Sequence, residues 1–365
     1  MKRFLICLTV VFMALAFVNC KTGGEGSIAL PGGGKFNLSD LFGKGKGKIT
    51  EPELGDIDTE YKNWESEDYR TWLAKEMPDH RIVYGNDQVN YADLRIPKND
   101  KLKTAAGYPV ALLLHGGAWQ ATRPLERTAP LAEALTDFGI VTYNLEYRRL
   151  GNPGGGYPGS FQDIGRAVDF LRVLAPEYNL DLSRVIFVGF SSGGHLALWA
   201  AGRHKIDASS PLFVEDPLPL KGVVALAAIA NMQVAYDGGR DDQWTFLDVT
   251  TAQDAAQRYP YTSPYHMLPT GVPTTHIVGD LDNQWRINGI HQYVDKSIEL
   301  GTEARVSDLI GAGEQDVADP CGPAWPTIAQ EVFWALGEPM PDTDLTKSKF
   351  CPIKGRGYAP HFDYP

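Results

Sequence analysis

The sequence has 365 residues, a formal net charge of −11 and an isoelectric point near 5.2. An acidic chain of this kind lacks the basic surface that nucleic-acid binding requires, so we expect no nucleic-acid partner. Hydrophobic residues make up 43% of the sequence, which is enough for the core of one large α/β domain or of two smaller domains.

The N-terminus has the pattern of an export signal. A basic start precedes an apolar run from Phe4 to Val18, which is too short for an ordinary membrane-spanning helix. The motif "FVNC" then resembles the lipobox of bacterial lipoproteins, although Asn19 stands where a small residue is usual. We predict a signal peptide at residues 1–19 and lipidation of Cys20, which would anchor an exported bacterial lipoprotein in the cell envelope. The alternative is an ordinary cleaved signal.

Composition divides the rest of the chain into three parts. Residues 20–58 are rich in glycine and lysine with little periodicity, which predicts a flexible tether. An α/β domain is expected at residues 59–340, followed by a C-terminal tail at residues 341–365. In an oxidising compartment, Cys321 and Cys351 could join the tail to the domain by a disulfide, and two unpaired cysteines are the alternative.

Within the domain, a hairpin comes first and alternating strands and helices follow. Residues 80–97 alternate polar and apolar side chains around the turn "GND", as an antiparallel hairpin does. Further strands are predicted at residues 108–117, 140–148, 184–190, 220–230, 273–280 and 303–312, and helices at residues 125–139, 161–178, 193–204 and 325–337. Continuous apolar strands between amphipathic helices indicate a mostly parallel sheet with helices on both faces.

The longest stretch between strands without an assigned structure is residues 232–271. It contains five notable aromatic residues: Trp244, Phe246, Tyr259, Tyr261 and Tyr265. At the carboxyl edge of a sheet, such an insertion could cover a substrate pocket. Equally, these side chains could pack only against one another.

A nucleophile motif follows the strand at residues 184–190. Gly189-Phe190-Ser191-Ser192-Gly193 fits Gly-x-Ser-x-Gly, in which small flanking residues let a strained turn present a serine hydroxyl above the sheet. The amide of Ser192 and the start of the next helix would face an oxyanion formed there. Since a strand and a helix flank the motif, we predict that Ser191 is a nucleophile.

A second motif follows the strand at residues 108–117. His115-Gly116-Gly117-Ala118 comes directly after the apolar run, and its glycines let the backbone turn so that the amides of Gly117 and Ala118 point into the site. We expect these amides to complete an oxyanion hole with that of Ser192. His115 is interpreted as a residue that orients the loop rather than as a general base.

Together these motifs resemble the α/β-hydrolase fold, in the carboxylesterase group that includes hormone-sensitive-lipase-like and BD-FAE-like (feruloyl-esterase-like) enzymes. The resemblance runs from about residue 80 to residue 337 and rests on "HGGAW", "NLEYR", "GYPGSFQDIGRAVDFLR", "GFSSGGHLAL", "SPYHM" and "PTTHIVGDLDNQW". It implies that Asp282, in Gly-x-x-Asp, is the triad acid, with Asp280 as the alternative. It also implies that His195 is not the base.

The sequence departs from this family where the base is expected. The family places a histidine in Gly-x-Gly-His after the last strand, whereas residues 311–314 read Gly-Ala-Gly-Glu. Glu314 therefore occupies the position of the histidine. A carboxylate, which ordinarily ionises near pH 4.3, is a poorer proton acceptor than an imidazole, which does so near 6.5. Glu314 would also place a second negative charge near Asp282 and favour protonation of one carboxylate.

Three explanations remain open. His361, in the tail, could supply the base, because about two dozen extended residues can cross a domain. Glu314 could itself act as the base. Alternatively, the site could bind a ligand without turnover, in a hydrolase-like surface lipoprotein. His291 is interpreted as a solvated residue.

The predicted function is therefore hydrolysis of a small carboxylic ester through an acyl-Ser191 intermediate. No zinc-ligand spacing and no Walker-type loop occurs in the sequence, so we expect neither a metal nor another cofactor. The expected partners are a small ester and, through Cys20, a membrane. The sequence does not indicate an oligomeric state.

Overall fold

The computed structural model describes residues 77–340 and the backbone of three short strands, at residues 27–29, 35–37 and 49–50. Strands β1 (Ser27–Ala29) and β2 (Lys35–Asn37) form an antiparallel pair in one unit, residues 1–46. The other elements belong to a second unit, residues 47–365. Cys20, Cys351 and His361 lie outside the described residues.

The second unit contains a nine-stranded sheet in the order β11-β10-β9-β8-β6-β7-β5-β4-β3. Its strands are β3 (Ile49–Thr50), β4 (His80–Val83), β5 (Tyr91–Arg95), β6 (Tyr108–Leu114), β7 (Val141–Leu145), β8 (Leu180–Phe190), β9 (Gly222–Leu226), β10 (Thr274–Gly279) and β11 (Ala304–Leu309). Strands β6 to β11 are mutually parallel, whereas β4 and β5 form the antiparallel hairpin expected from the sequence. The predicted mostly parallel sheet with an N-terminal hairpin is confirmed.

Helices cover both faces of the sheet. In the described residues they are α1 (Ala129–Asp137), α2 (Gly159–Tyr178), α3 (Ser192–Ala201), α4 (Met232–Asp237), α5 (Asp242–Leu247), α6 (Ala252–Thr262), α7 (Gln284–Glu299) and α8 (Trp325–Leu336). Successive side chains of a strand point to opposite faces. Accordingly, Leu112 and Leu114 of β6 pack into a core with α2, α3 and α7, whereas Leu113 packs into a second core with α1 and α8. Among the described residues, no helix is long and apolar enough to cross a membrane.

The insertion at residues 232–271 differs from the sequence prediction, because it contains three α-helices rather than irregular structure. Asn231 caps α4 by accepting hydrogen bonds from the backbone N–H groups of the first turn, and Thr251 caps α6 by accepting one from Asp254 N at 3.1 Å. Capping side chains satisfy amides that a short helix cannot pair internally. These helices are too short for a clear apolar periodicity, so the sequence pattern did not reveal them.

The order of the strands places a crevice between β6 and β8. From β6 the chain continues to β7 on one side, and from β8 it continues to β9 on the other side. Parallel sheets bind ligands outside the carboxyl ends of strands at such a switch point. The loops that follow β6 and β8 therefore form the centre of this edge, and the loops that follow β10 and β11 lie to one side of it.

A histidine that sequence reasoning did not single out is fully buried in β10. The ring of His276 packs against that of Tyr293 in α7, with 5.0 Å between the ring centroids. Neither ring nitrogen of His276 has a hydrogen-bond partner among the described residues. Burial lowers the pKa of His276 to about 3, and the charge of His291 adds to this effect. His276 is therefore neutral in the folded protein at any pH near neutrality.

We predict that His276 makes the fold sensitive to acid. The unfolded chain binds a proton at this residue near pH 6.5, whereas the folded chain does so only near pH 3. Its stabilising contribution is complete above pH 6.5 and is lost as the pH falls toward 3, by up to about 1.4 kcal/mol per pH unit. Urea denaturation at several pH values should show a shallower pH dependence for His276→Phe than for the unmodified protein.

The matched control is His204→Gln, which changes a histidine on the surface. This variant should keep the steeper pH dependence of the unmodified protein. Equal slopes for His276→Phe and the unmodified protein would contradict the prediction.

Candidate active site

Ser191 lies in a strained turn between β8, which ends at Phe190, and α3, which begins at Ser192. Its backbone has φ 52° and ψ −118°, a combination that non-glycine residues rarely adopt. The N–H of Ser191 donates to the carbonyl oxygen of Leu226 at 2.8 Å, so the turn is attached to the end of β9. The serine is thereby held at the carboxyl edge of the sheet, with 5% of its surface exposed.

Two glycines allow this turn to approach its neighbours. A methyl group added to Gly189 would lie 2.5 Å from the carbonyl oxygen of Gly193. One added to Gly193 would lie 2.3 Å from the carbonyl oxygen of Leu114 and 2.4 Å from that of His115. Real Cβ atoms do not tolerate such distances from backbone atoms. Gly189 is thus required by close packing within the turn, and Gly193 by the contact of the turn with the end of β6.

The loop after β6 lies directly beside the nucleophile. A Cβ atom on Gly116 would be 2.9 Å from the Cβ atom of Ser191. The next three residues all have positive φ: 121° at Gly117, 52° at Ala118 and 58° at Trp119. The N–H of Trp119 then donates to the Oγ atom of Ser192 at 3.3 Å. The structure thus joins the two predicted oxyanion-hole segments, and the roles of their individual amides stay predictions.

A buried polar network formed by His115, Glu146 and Arg149 supports this loop. His115 is fully buried; its Nδ1 lies 2.8 Å from the carbonyl oxygen of Gly116, and its Nε2 lies 3.2 Å from Oε1 of Glu146. Glu146 also accepts from the N–H of Leu125 and forms an ion pair of 2.9 Å with Arg149. Burial raises the pKa of Glu146, but the charges of Arg149 and His115 outweigh this effect and lower it. Both ring nitrogens of His115 are occupied, which fits a role in orienting the loop.

Sequence reasoning quoted Glu146 only as part of "NLEYR", which ends at Arg148, and did not name Arg149. The signal that could have identified them is the pair of charged residues directly after an apolar strand, since a buried charge requires a partner. Arg148 of the same motif forms an ion pair of 2.7 Å with Asp163 of α2. This pair joins "NLEYR" to "GYPGSFQDIGRAVDFLR" in the fold.

An aromatic cluster supports the loop from the other side. The ring of Trp119 stacks on Phe246 at 4.7 Å and meets the edge of His195 at 5.5 Å. Phe246 comes from the insertion, so this residue packs against the oxyanion loop rather than only against its own segment. His195 lies 2.8 Å from the carbonyl oxygen of Thr262 through Nε2, and burial lowers its pKa to about 4. A neutral histidine whose Nε2–H is already donated cannot accept the proton of Ser191 at that atom.

The two aspartates after β10 have different surroundings. Asp280 accepts from the N–H of Gly311 at 2.7 Å, and the N–H of Leu281 donates to the carbonyl oxygen of Ala312 at 3.0 Å. These bonds attach the loop after β10 to the loop after β11. Asp280 therefore has a structural partner, and Asp282 is left as the candidate acid.

The side chain of Asp282 is fully buried. Its Oδ1 atom accepts from the N–H of Asn283 at 2.6 Å and from Arg286, whereas its Oδ2 atom has no hydrogen-bond partner among the described residues. Burial raises the pKa of Asp282; Arg286 opposes this rise and Glu314 adds to it. Of the carboxylates of Asp282 and Glu314, that of Asp282 is thus shifted toward its protonated form, in the direction expected from the sequence.

Arg286 connects the candidate acid to the residue at the family's histidine position. Its guanidinium bonds Asp282 through Nη1 and lies 2.9 Å from Oε1 of Glu314 through Nη2. It is 1% exposed and packs over the ring of Trp285 at 4.9 Å. Burial lowers the pKa of Arg286, but the charges of Glu314 and Asp282 outweigh burial and raise it. The sequence analysis did not name Arg286, although an Asp and an Arg four residues apart at a helix start indicate such a pair.

The remaining predicted residues lie outside this cluster or outside the described residues. His291 is half-exposed on α7 and lies 3.0 Å from Asp308. Cys321 is described but Cys351 is not, so their disulfide stays a prediction, as does the role of His361. In the described part of the chain, no group of three or more His, Cys, Asp or Glu side chains could hold a metal ion.

Comparisons with known proteins point to one family. The family model described as BD-FAE matches residues 92–288, which is more than half of the chain. "Probable carboxylic ester hydrolase LipM" of Mycobacterium tuberculosis is 26% identical over 204 residues, covering 55% of this chain and 45% of that protein. "Esterase LipQ" of the same organism is 28% identical over 130 residues, covering 34% of this chain and 30% of that protein. The matches thus span less than half the length of these relatives.

Solved esterase structures share the fold. Esterase 2 of Thermogutta terrifontis with bound propionate superposes with a TM-score of 0.58 at 20% identity, covering 72% of this chain and 96% of that one. A truncated carbohydrate esterase from gut microbiota gives a TM-score of 0.57 at 18% identity, covering 71% and 95% of the two chains. Likeness at this level of identity establishes the α/β-hydrolase fold.

The close approach of the elbow to β6 gives a testable prediction. Gly193→Ala should lower the free energy of unfolding by about 1–3 kcal/mol or more, because its methyl group would overlap backbone oxygens. Gly289→Ala in α7 is the matched control: its methyl group would lie 3.6 Å from the nearest atom, and alanine favours a helix by up to about 1 kcal/mol. Denaturant unfolding of both variants measures the two effects, and equal effects would contradict this account of the elbow.

Proposed function

This chain belongs to the BD-FAE family of α/β-hydrolases, and we propose that it is a serine ester hydrolase that acts on a small carboxylic ester through an acyl-Ser191 intermediate. The observation that carries the proposal is the strained backbone of Ser191, which lies directly beside the loop after β6. A Cβ atom added to Gly116 in that loop would lie 2.9 Å from the Cβ atom of Ser191. Strain of this kind persists only where the surrounding structure enforces it, and it clusters at active sites.

The proposed reaction follows from the arrangement of the two loops. The Oγ atom of Ser191 attacks the ester carbonyl carbon, and its proton passes to a base. The amides of Gly117, Ala118 and Ser192, with the N-terminus of α3, stabilise the negative oxygen of the tetrahedral intermediate. The bond to the alcohol then breaks, and the alcohol leaves with the proton. Water hydrolyses the acyl-serine by the same route in reverse.

Two groups are candidates for the base. Glu314 is joined to Asp282 through Arg286. His361 is the alternative, and the Oδ2 atom of Asp282, buried and without a partner among the described residues, would suit an imidazole N–H. In either case Asp282 acts by orienting the base or its partner.

A second candidate function is ligand binding without turnover. The observation that favours it is that Arg286 already occupies Oδ1 of Asp282, so the acid has a charged partner other than an imidazole. In a protease with the same triad logic, loss of the histidine costs on the order of 10⁶ in kcat. A hydrolase-like surface lipoprotein anchored at Cys20 would keep the two loops around Ser191 and lose the rate.

Substitution of Ser191 separates the two functions. We predict that the full chain hydrolyses a short-chain p-nitrophenyl ester, and that Ser191→Ala reduces kcat to the background rate because the nucleophile is gone. Ser209→Ala, which removes an exposed serine, is the control and should retain the rate. A full-chain rate no higher than that of Ser191→Ala, in protein that unfolds cooperatively, would favour the binding function.

Glu314→His tests the base position. We expect this variant to hydrolyse the same ester about 10²-fold faster than the unmodified protein, because an imidazole is the better base near neutral pH and can donate to Oδ2 of Asp282. The double variant Ser191→Ala/Glu314→His should lose the gain. An unchanged rate in folded Glu314→His would contradict the expectation that position 314 serves the nucleophile.

A further inference from the structure

The base position of this fold holds an ion cluster. Asp282 and Glu314 both contact the guanidinium of Arg286, at two different nitrogens. Both Arg286 and the side chain of Asp282 are buried, whereas the side chain of Glu314 is 29% exposed. Of these three side chains, that of Glu314 is therefore the most exposed to solvent.

The backbone fixes Glu314 in this place. The loop after β11 is attached to the acid loop by the bonds from Gly311 to Asp280 and from Leu281 to Ala312. A Cβ atom on Gly279 would lie 1.9 Å from the carbonyl oxygen of Ala312, so the two loops touch through their backbones. Glu314 follows Ala312 by two residues, so these contacts hold the start of its loop against the acid loop.

We propose that Arg286 is a positioning residue that holds the Glu314 carboxylate as the base of Ser191, as Asp282 would hold an imidazole. The inference rests on the proposed function and names the group that serves it. Arg286 presents a planar fork that orients a carboxylate more firmly than a lysine could. Arg286 contacts Glu314 through Oε1, at 2.9 Å from Nη2. In the proposed step the other carboxylate oxygen, Oε2, accepts the serine proton.

The charge of the cluster favours this step. Two carboxylates and one guanidinium carry a net charge of −1, and removing such a charge from water is costly. Transfer of the proton from Ser191 to Glu314 forms a neutral cluster and a serine alkoxide that attacks the ester. The same proton then passes from Glu314 to the departing alcohol, whose bond to carbon breaks. In deacylation, Glu314 takes a proton from water and returns it to Ser191.

If Arg286 served only to neutralise Asp282, the second carboxylate, Glu314, would have no role in the cluster. Neutralising Asp282 requires one cation and one carboxylate, and the second carboxylate would add only repulsion. Burial is the main cause that raises the pKa of Asp282, and the charge of Glu314 adds to the rise. A base that gains a proton during each reaction relieves the repulsion between the two carboxylates.

The experiment is a pH–rate profile on a short-chain p-nitrophenyl ester, followed at the isosbestic wavelength of the product. A glutamate base predicts that kcat/KM of the full chain stays high down to about pH 5.5, since glutamate ionises near 4.3 and imidazole near 6.5. Glu314→Gln should lower kcat about 10²-fold or more, with little change in KM.

Arg286 is tested by two variants. Arg286→Lys keeps the charge but loses the fork, so kcat should fall about 10- to 100-fold while KM changes little. Arg286→Gln removes the charge, so the acid limb of the profile should rise by about one pH unit or more. If Arg286→Gln does not fold, Arg286→Lys carries the test alone.

Arg203→Lys is the matched control. Arg203 lies beyond Ala201, where α3 ends; it is 2% exposed and bonds Asp169 through both terminal nitrogens. Its substitution should lower the free energy of unfolding and leave kcat and the pH profile unchanged.

Two outcomes would overturn the inference, and they are distinguishable. If Ser191-dependent hydrolysis is present but Glu314→Gln keeps the full rate, the inference fails and the proposed function stands. An acid limb near pH 6.5 that disappears with the rate in His361→Ala would then identify the tail as the source of the base. If the full chain shows no Ser191-dependent hydrolysis at any pH, both proposals fail.

Discussion

The close packing of the ends of β6 and β8 is the constraint on which the rest of the site depends. Gly193 lies against the carbonyl oxygens of Leu114 and His115, and Gly116 lies against Ser191. Since neither contact leaves room for a side chain, the nucleophile turn and the oxyanion loop are fixed as one unit. The positive φ angles of Ser191, Ala118 and Trp119 are local consequences of this contact. The unfavourable backbone geometry is offset by the surrounding core, because β6 and residues 184–190 of β8 are buried.

The carboxylates of the oxyanion loop and those of the acid loop are paired with cations in different ways. On the oxyanion side, Glu146 is satisfied by His115, Arg149 and backbone N–H groups, so its buried charge stabilises a loop. On the acid side, Asp282 and Glu314 share the single guanidinium of Arg286. The first network is balanced and fits a structural role, whereas the second retains an excess negative charge. In the reaction proposed above, this excess negative charge would suit Glu314 to accept a proton.

Much of the fold could be predicted because strand and helix periodicities differ and because Gly-x-Ser-x-Gly and His-Gly-Gly require defined neighbours. The hairpin, the parallel strands and the helix after Ser191 all followed from these patterns. The helices of residues 232–271 could not be predicted, since their stability comes from caps such as Asn231 and from burial of Phe246 rather than from periodicity. The contact of Phe246 with Trp119 joins residues far apart in sequence. The same is true of Arg286 and Glu314, whose pairing depends on how the loops after β10 and β11 meet.

The most direct test of the account is detection of the acyl-enzyme. The full chain would be mixed with a short-chain p-nitrophenyl ester, quenched in acid within milliseconds to seconds, digested and analysed by tandem mass spectrometry. The account predicts an acyl group on the peptide that contains Ser191, assigned to that residue and absent after longer incubation without ester. Product release with no acyl group on Ser191, or an acyl group found only on another residue, would contradict it.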